Sequence, residues 1–262
     1  MMLDLLIMLG GCAALVLGAV LLIEPLSDWV ARVDMRLSGN RWRLLIGLVM
    51  AALGVALMLW PATRLSAEPV RPAVDAAAVD RVQIPLASAR WRHQAEQVAA
   101  DLFGVDASAA RLAAQIHQES AWRPDANSWA GAEGMAQFMP ATGRWLAQKF
   151  PSLGTYDPWD PEWSLRAAAT YDKWLLARNQ GRNACASWAF ALSAYNGGET
   201  RLKRERRAAA DPGLWFGAQG AAMHRARGLS AWRENRGYVR RILLVLEPAY
   251  LAAGWGGQAV CG

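Results

Sequence analysis

Glu119-Ser120, then Ser128, then Gly131-Ala132-Glu133-Gly134-Met135-Ala136-Gln137-Phe138-Met139-Pro140 form one short stretch near the middle of the chain. It sets a carboxylic acid at the end of an apolar helical run and follows it with a glycine-punctuated loop carrying amide, thioether and hydroxyl groups. Just upstream, Asp106 or Ser108 can cap a helix whose Leu112, Ala113 and Ile116 share one face, and Glu119 ends that helix. Apolar neighbours and a helix C-terminus both disfavour the charged carboxylate. An acid that stays protonated near neutral pH can donate to a leaving glycosidic oxygen. The stretch therefore implies sugar cleavage around a single acid, against the plainer reading of a solvated glutamate.

Working outward, the pattern stays helical almost throughout. Trp91 to Phe103 reads as an amphipathic helix closed by Gly104. Asp160-Pro161-Glu162 is a capped start with proline at the first helical position, leading through Leu165, Ala168, Tyr171 and Leu175. Ala184 to Ala194 makes another helix stopped by Gly197-Gly198, and Gly237 to Tyr250 the last long one. No alternating β-branched run of strand length stands out. Residues 88–262 are expected to form one mainly α domain, large enough for its own core. Residues 62–87 hold Pro69, Pro72 and Pro85 among Ala and Val without sustained periodicity, which reads as a linker.

The first 61 residues are chemically different. Leu5 to Ile23 carries no charge over about 19 positions, enough at about 1.5 Å per residue to cross a hydrocarbon core of about 30 Å. Leu44 to Trp60 nearly repeats this. The chain starts Met1-Met2-Leu3-Asp4 with no basic residue before the first run, unlike a cleavable signal peptide. Two transmembrane helices in a hairpin are expected over residues 1–61; two buried helices of a soluble core fit less well, because neither run has a polar face. The connecting loop carries Arg32, Arg36, Arg41 and Arg43, which belongs on the cytoplasmic side. That puts the N-terminus and everything after Pro61 in the periplasm or an equivalent extracytoplasmic space.

Of three cysteines, Cys12 lies in the first span, while Cys185 and Cys261 fall in the exported part, either bridged or as two free buried thiols. The net charge of +6 is densest from Arg201 to Arg207, read as a solvated helical face or as attraction to a polyanionic lipid or cell-wall surface. No specific nucleic-acid partner is indicated. Trp122, Trp129 and Trp145 could stack on sugar rings, with core packing as the plainer reading.

Glu119-Ser120, Ser128, Gly131-Ala132, Gly134 to Pro140 with Ala141-Thr142, then Ala194-Tyr195-Asn196-Gly197-Gly198 and Tyr238-Val239 resemble the ordered motifs of the soluble lytic transglycosylase family. The resemblance spans about Ala89 to Leu246. It implies a lysozyme-like, mainly α catalytic domain, here preceded by two transmembrane helices, with Glu119 as the catalytic acid and base. It further implies that Ser128, Gln137 and Met139 line the sugar-binding cleft and that Tyr195, Asn196 and Tyr238 lie around Glu119. Where this family usually carries Met, the chain has Ala136, which makes the pocket wall smaller. Neither metal nor cofactor is implied.

In residue terms, Gln137 offers a donor and an acceptor to a substrate amide or hydroxyl, and Met139 a deformable apolar wall. Ser120 can fix the turn after the acid or merely cap it. Tyr195 and Tyr238 either donate hydroxyl hydrogen bonds or fill the core, and Asn196 either serves the site or stops a helix. The resemblance implies cleavage of the bond between N-acetylmuramic acid and N-acetylglucosamine in peptidoglycan, giving a 1,6-anhydro product. The implied partners are glycan strands, the inner membrane, and phage or secretion-machinery proteins that need the wall opened locally. Two competing readings are a goose-type lysozyme hydrolysis in which Asp125 or Glu133 positions water, and a holin-like or conduit protein in which the hairpin is the function.

Overall fold

The computed structural model describes residues 72–217 and 228–262. The expected hairpin of residues 1–61 and the first part of the linker lie outside the described residues. Among the described residues no helix is long and apolar enough to cross a membrane.

The elements are α1 (Ala76–Val79), α2 (Ala87–Phe103), α3 (Ala109–Ser120), α4 (Pro140–Lys149), a 3-10 turn (Pro151–Leu153), α5 (Pro161–Arg178), α6 (Ala184–Gly197), α7 (Glu199–Ala208), α8 (Leu229–Arg241), a π segment (Ile242–Leu246) and α9 (Glu247–Ala252). The mainly α expectation holds for these residues. Two isolated antiparallel bridges, Asn127 to Glu133 and Glu133 to Phe138, pin the loop between α3 and α4.

α3 sits in the middle of the domain because its sequence lets it. Ala109, Ala110, Ala113 and Ala114 are fully or almost fully buried beside Leu112 and Ile116, and small side chains let neighbouring helices approach closely. The helix packs against α2, α5, the π segment and α9. Ser108 caps its start, its Oγ accepting from Arg111 N at 3.2 Å. α5 begins as the sequence indicates, with Asp160 accepting from the backbone of Glu162 and Trp163. α6, hydrophobic nearly all round, lies buried between α5 and α8.

Several boundaries differ from the sequence reading. The second half of the expected linker is structured: α1 contacts the π segment, and Val82 and Ile84 pack on the core. α4 was not anticipated; Pro140 closes the motif loop and also fills the first helical position, where its missing N–H costs nothing. α6 continues through Tyr195-Asn196-Gly197 before Gly198 stops it. α8 starts at Leu229, so Gly237 is interior, and the ladder beyond it widens into the π segment. The wider turn keeps Ile242, Leu243, Leu244 and Leu246 all buried.

The C-terminal tail is clamped across the start of α3. Cys185 and Cys261 form a disulfide with Cα atoms 4.9 Å apart, which resolves the alternative left open by the sequence. Ala110 N donates to Gly256 O at 3.1 Å and Arg111 Nη2 to Gln258 O at 3.2 Å. The tail runs so close that a Cβ on Gly257 would lie 2.2 Å from Ser108 Cα. Beneath it, Arg111 pairs with the buried Glu247 at 2.8 Å and stacks over Trp188 at 4.4 Å. Because the bridge joins residues 76 apart, it removes a large loop entropy from the unfolded chain. The double variant Cys185→Ser/Cys261→Ser is expected to lose about 2–4 kcal/mol of stability. Urea unfolding with and without dithiothreitol checks this: wild type falls to the variant's value on reduction, and the variant does not respond.

Candidate active site

Glu119 occupies the last turn of α3 and reaches into a cleft of about 420 Å³. Gln137, Phe138 and Met139 form one wall, Tyr171 and Tyr195 another, and Asn196 and Glu234 the rim. Tyr238, on α8, donates its hydroxyl to Glu119 Oε1 at 2.6 Å. Part of Glu119 is open to the cleft, yet protein atoms crowd the carboxyl enough that its charged form is poorly solvated. Burial pushes its pKa up to about 8, and the Tyr238 hydrogen bond opposes that rise. The acid is therefore held protonated at neutral pH.

The turn after the acid is held in an uncommon conformation. Ala121 and Trp122 both have positive φ, 53° and 66°, and Gln137 has φ 50°. Such conformations cost about 1 kcal/mol or more each outside glycine. They persist because the surroundings fix them. Ser120 Oγ donates to Met135 O at 2.7 Å, the fully buried Trp122 donates Nε1–H to Tyr250 OH at 2.7 Å, and Gln137 Nε2 donates to Ala126 O and Gly134 O. Gly134 is required there: its φ is +74° and a Cβ would lie 1.7 Å from Pro158 O.

The structure brings most of the expected residues together and gives several of them bonds within the fold. Gln137 lines the cleft, although its amide hydrogens serve the loop's own carbonyls instead of a ligand. Met139 lines it too and is 47 % exposed. Tyr195 lies in the wall and donates to Ala136 O at 2.9 Å, holding the motif loop while leaving Glu119 to Tyr238. Ser128 does not line the cleft; its Oγ accepts from Ala132 N at 2.9 Å and so shapes the turn. Trp122 is a core residue, while Trp129 is fully exposed and Trp145 is 37 % exposed.

Asn196 is at the rim, where its Oδ1 accepts from Asn235 Nδ2 at 2.7 Å. Asn235, absent from the sequence reading, also accepts from Ser193 Oγ at 2.6 Å and donates to Ser193 O at 3.0 Å. Its spacing of i to i+3 from Tyr238 on α8 was the available signal. Asp172 was missed as well. It is buried on α5, accepts from Gln115 Nε2 at 3.3 Å, and burial raises its pKa well above the ordinary carboxylate range. Of the two carboxylates considered for positioning water, Asp125 is exposed and Glu133 accepts from Tyr156 OH at 2.5 Å; neither lines the cleft. Among the described residues no cluster of His, Cys, Asp or Glu could hold a metal ion. A larger cavity of about 840 Å³ lies between α2, α3, α5 and the tail and does not include Glu119.

Residues 96–215 match the family described as the transglycosylase SLT domain. This stretch, somewhat under half of the chain, is similar to SLT domains. Two relatives are the soluble lytic murein transglycosylase of Escherichia coli K12, 27 % identical over 62 % of this chain and 25 % of its own length, and the membrane-bound lytic murein transglycosylase F of Pasteurella multocida, 36 % identical over 40 % of this chain and 21 % of its own. This chain thus spans about a quarter of the length of the relatives it matches. The solved 70 kDa soluble lytic transglycosylase of Escherichia coli overlays with a TM-score of 0.47 at 23 % identity, covering 63 % of this chain and 25 % of that one. The matched SLT segment contains Glu119, Gln137, Tyr195 and Asn196, whereas Asn235 and Tyr238 lie beyond it.

The acid's titration should be visible in the stability of the domain. Unfolded, Glu119 ionises near 4.5; folded, near 8. Between these values the native state keeps a proton that the unfolded state releases, so this contribution is full below about pH 4.5 and is lost as pH rises through about 8. Glu119→Gln removes it. The variant's stability relative to wild type should therefore increase from pH 4.5 to pH 8, by about 1.4 kcal/mol per pH unit across that interval; urea unfolding at both values measures it. Tyr238→Phe removes a bond that favours the carboxylate and should move the Glu119 titration to still higher pH, read by carbon NMR.

Proposed function

We propose that this chain is a peptidoglycan lytic transglycosylase, and that the observation carrying the reading is a crowded Glu119 carboxyl bonded by Tyr238 at the cleft of a chain similar to SLT domains. Both named relatives are murein transglycosylases. Glu119 donates its proton to the oxygen between N-acetylmuramic acid and N-acetylglucosamine as that bond breaks. The substrate's own acetamido group stabilises the anomeric carbon, as in substrate-assisted enzymes. Glu119, now a carboxylate bonded by Tyr238, takes the proton from the C6 hydroxyl while that oxygen attacks the anomeric carbon, giving a 1,6-anhydro sugar and regenerating the acid.

The substrate-binding set proposed is Gln137, Met139, Tyr195 and Asn196, with Ser128 acting through the turn and Tyr238 through the acid. On this reading residues 1–61 anchor the chain in the inner membrane with the Arg-rich loop cytoplasmic, and the SLT domain faces the wall. The disulfide supports an oxidising compartment. The role proposed is local wall opening, during phage entry or release or the assembly of secretion machinery.

A second reading, hydrolysis, draws on Glu234, an exposed carboxylate at the cleft rim that could position water. Mass spectrometry of products from purified peptidoglycan separates the two, since anhydro products are lighter by one water. The expected result is anhydro product from the full chain and a loss of about 10²–10⁴-fold in Glu119→Gln. Equal clearance by both proteins would sink the enzymatic reading and favour the hairpin as the function.

A further inference from the structure

Two helices leave the cleft side by side, and each carries the same ladder. On α4 the cleft-lining Thr142 is followed at i+3 by Trp145 and at i+7 by Lys149; on α5 the cleft-lining Tyr171 is followed at i+3 by Trp174 and at i+7 by Arg178. Residues so spaced share one helical face. The rings meet: Trp145 lies 6.2 Å from Tyr171 and 5.2 Å from Trp174, and Tyr171 stacks on Trp174 at 5.8 Å and 19°. A continuous aromatic strip thus runs outward from the cleft wall.

The strip ends in positive charge. Lys149 Nζ sits 5.7 Å from the Trp145 ring and 5.8 Å from Trp174, and Arg178 lies 4.4 Å over Trp174. Arg178 already pairs with Glu199 at 2.9 Å. Lys149 has no carboxylate partner among the described residues and is exposed. A half-open indole beside an unpaired ammonium, continuous with a sugar cleft, suits a pyranose face for the ring and a carboxylate for the charge.

We infer that Trp145, Trp174 and Lys149 form an outer saccharide subsite that extends the cleft and binds the distal part of a glycan strand, with Lys149 meeting a carboxylate pendant from the sugars. This rests on the proposed substrate class and adds length and charge selectivity to it. Trp145 supplies stacking area, Trp174 fixes its tilt, and Lys149 distinguishes acidic from neutral strands.

The test uses the full chain bearing Glu119→Gln, so that strands are bound and not consumed, and isothermal titration calorimetry with two probe series. One is neutral chito-oligosaccharides of increasing length, the other peptide-free peptidoglycan strands that carry lactyl carboxylates. Affinity is expected to rise with length. Adding Trp145→Ala should lower it about tenfold for the longest probes and leave disaccharides unchanged. Adding Lys149→Ala should weaken only carboxylate-bearing strands. Equal losses for short and long probes, or no loss in either variant, overturn the subsite. Where Trp145→Ala melts early, Lys149→Ala, an exposed change, carries the test alone. Length-dependent binding in a chain whose wild type releases no sugar would refute the activity and uphold the subsite, and the converse separates them the other way.

Discussion

A carboxyl group kept neutral at the end of a buried helix is the constraint on which the rest of this domain depends. Glu119 could not hold a proton near pH 8 on a solvated helix, where its ordinary value would apply. The alanines of α3 are what remove the solvent: they let α2, α5, the π segment and α9 close in on all sides. Burial alone would raise the acid further still. Tyr238 supplies the counterweight, a hydroxyl that favours the charged form, so the two effects pull against each other at one oxygen.

That balance demands accurate placement of the residues after the acid. Ala121 and Trp122, directly after the acid, and the cleft-lining Gln137 all have positive φ, and their combined cost is about 3 kcal/mol or more. Each is tied by hydrogen bonds that a relaxed backbone would lose, from Ser120, from the Trp122 indole and from the Gln137 amide. The glutamine illustrates how one side chain can line a cleft and hold its loop at once. Its side chain faces the cleft, but its donors are committed to the loop.

Legibility followed the range of the forces involved. The cap at Ser108, the Asp160-Pro161 start and the helix ending at Glu119 are local, and their residues announce them. α4 escaped because Pro140 reads as a loop residue until one sees it at a first helical position, and α8 because Gly237 reads as a boundary until tertiary packing overrides it. Asn235 and Asp172 were invisible for a different reason. An isolated Asn or Asp in a helix says nothing until its partners, Ser193 and Asn196 or Gln115, are brought from other helices.

The same distinction bears on how the site is assembled. The SLT match ends at Trp215, yet Tyr238 lies 119 residues from Glu119, and the start of α3 is held by a tail bridged through Cys261. The matched segment therefore carries the acid and the loop, while the segment beyond it supplies the group that tunes the acid and the strap that seats its helix. Asn235 links the two by holding Asn196 of α6 from α8, three residues before Tyr238. Any displacement of α8 moves the rim asparagine and the acid's partner together. Rim geometry and acid strength are thus coupled through one helix that the local motif does not contain.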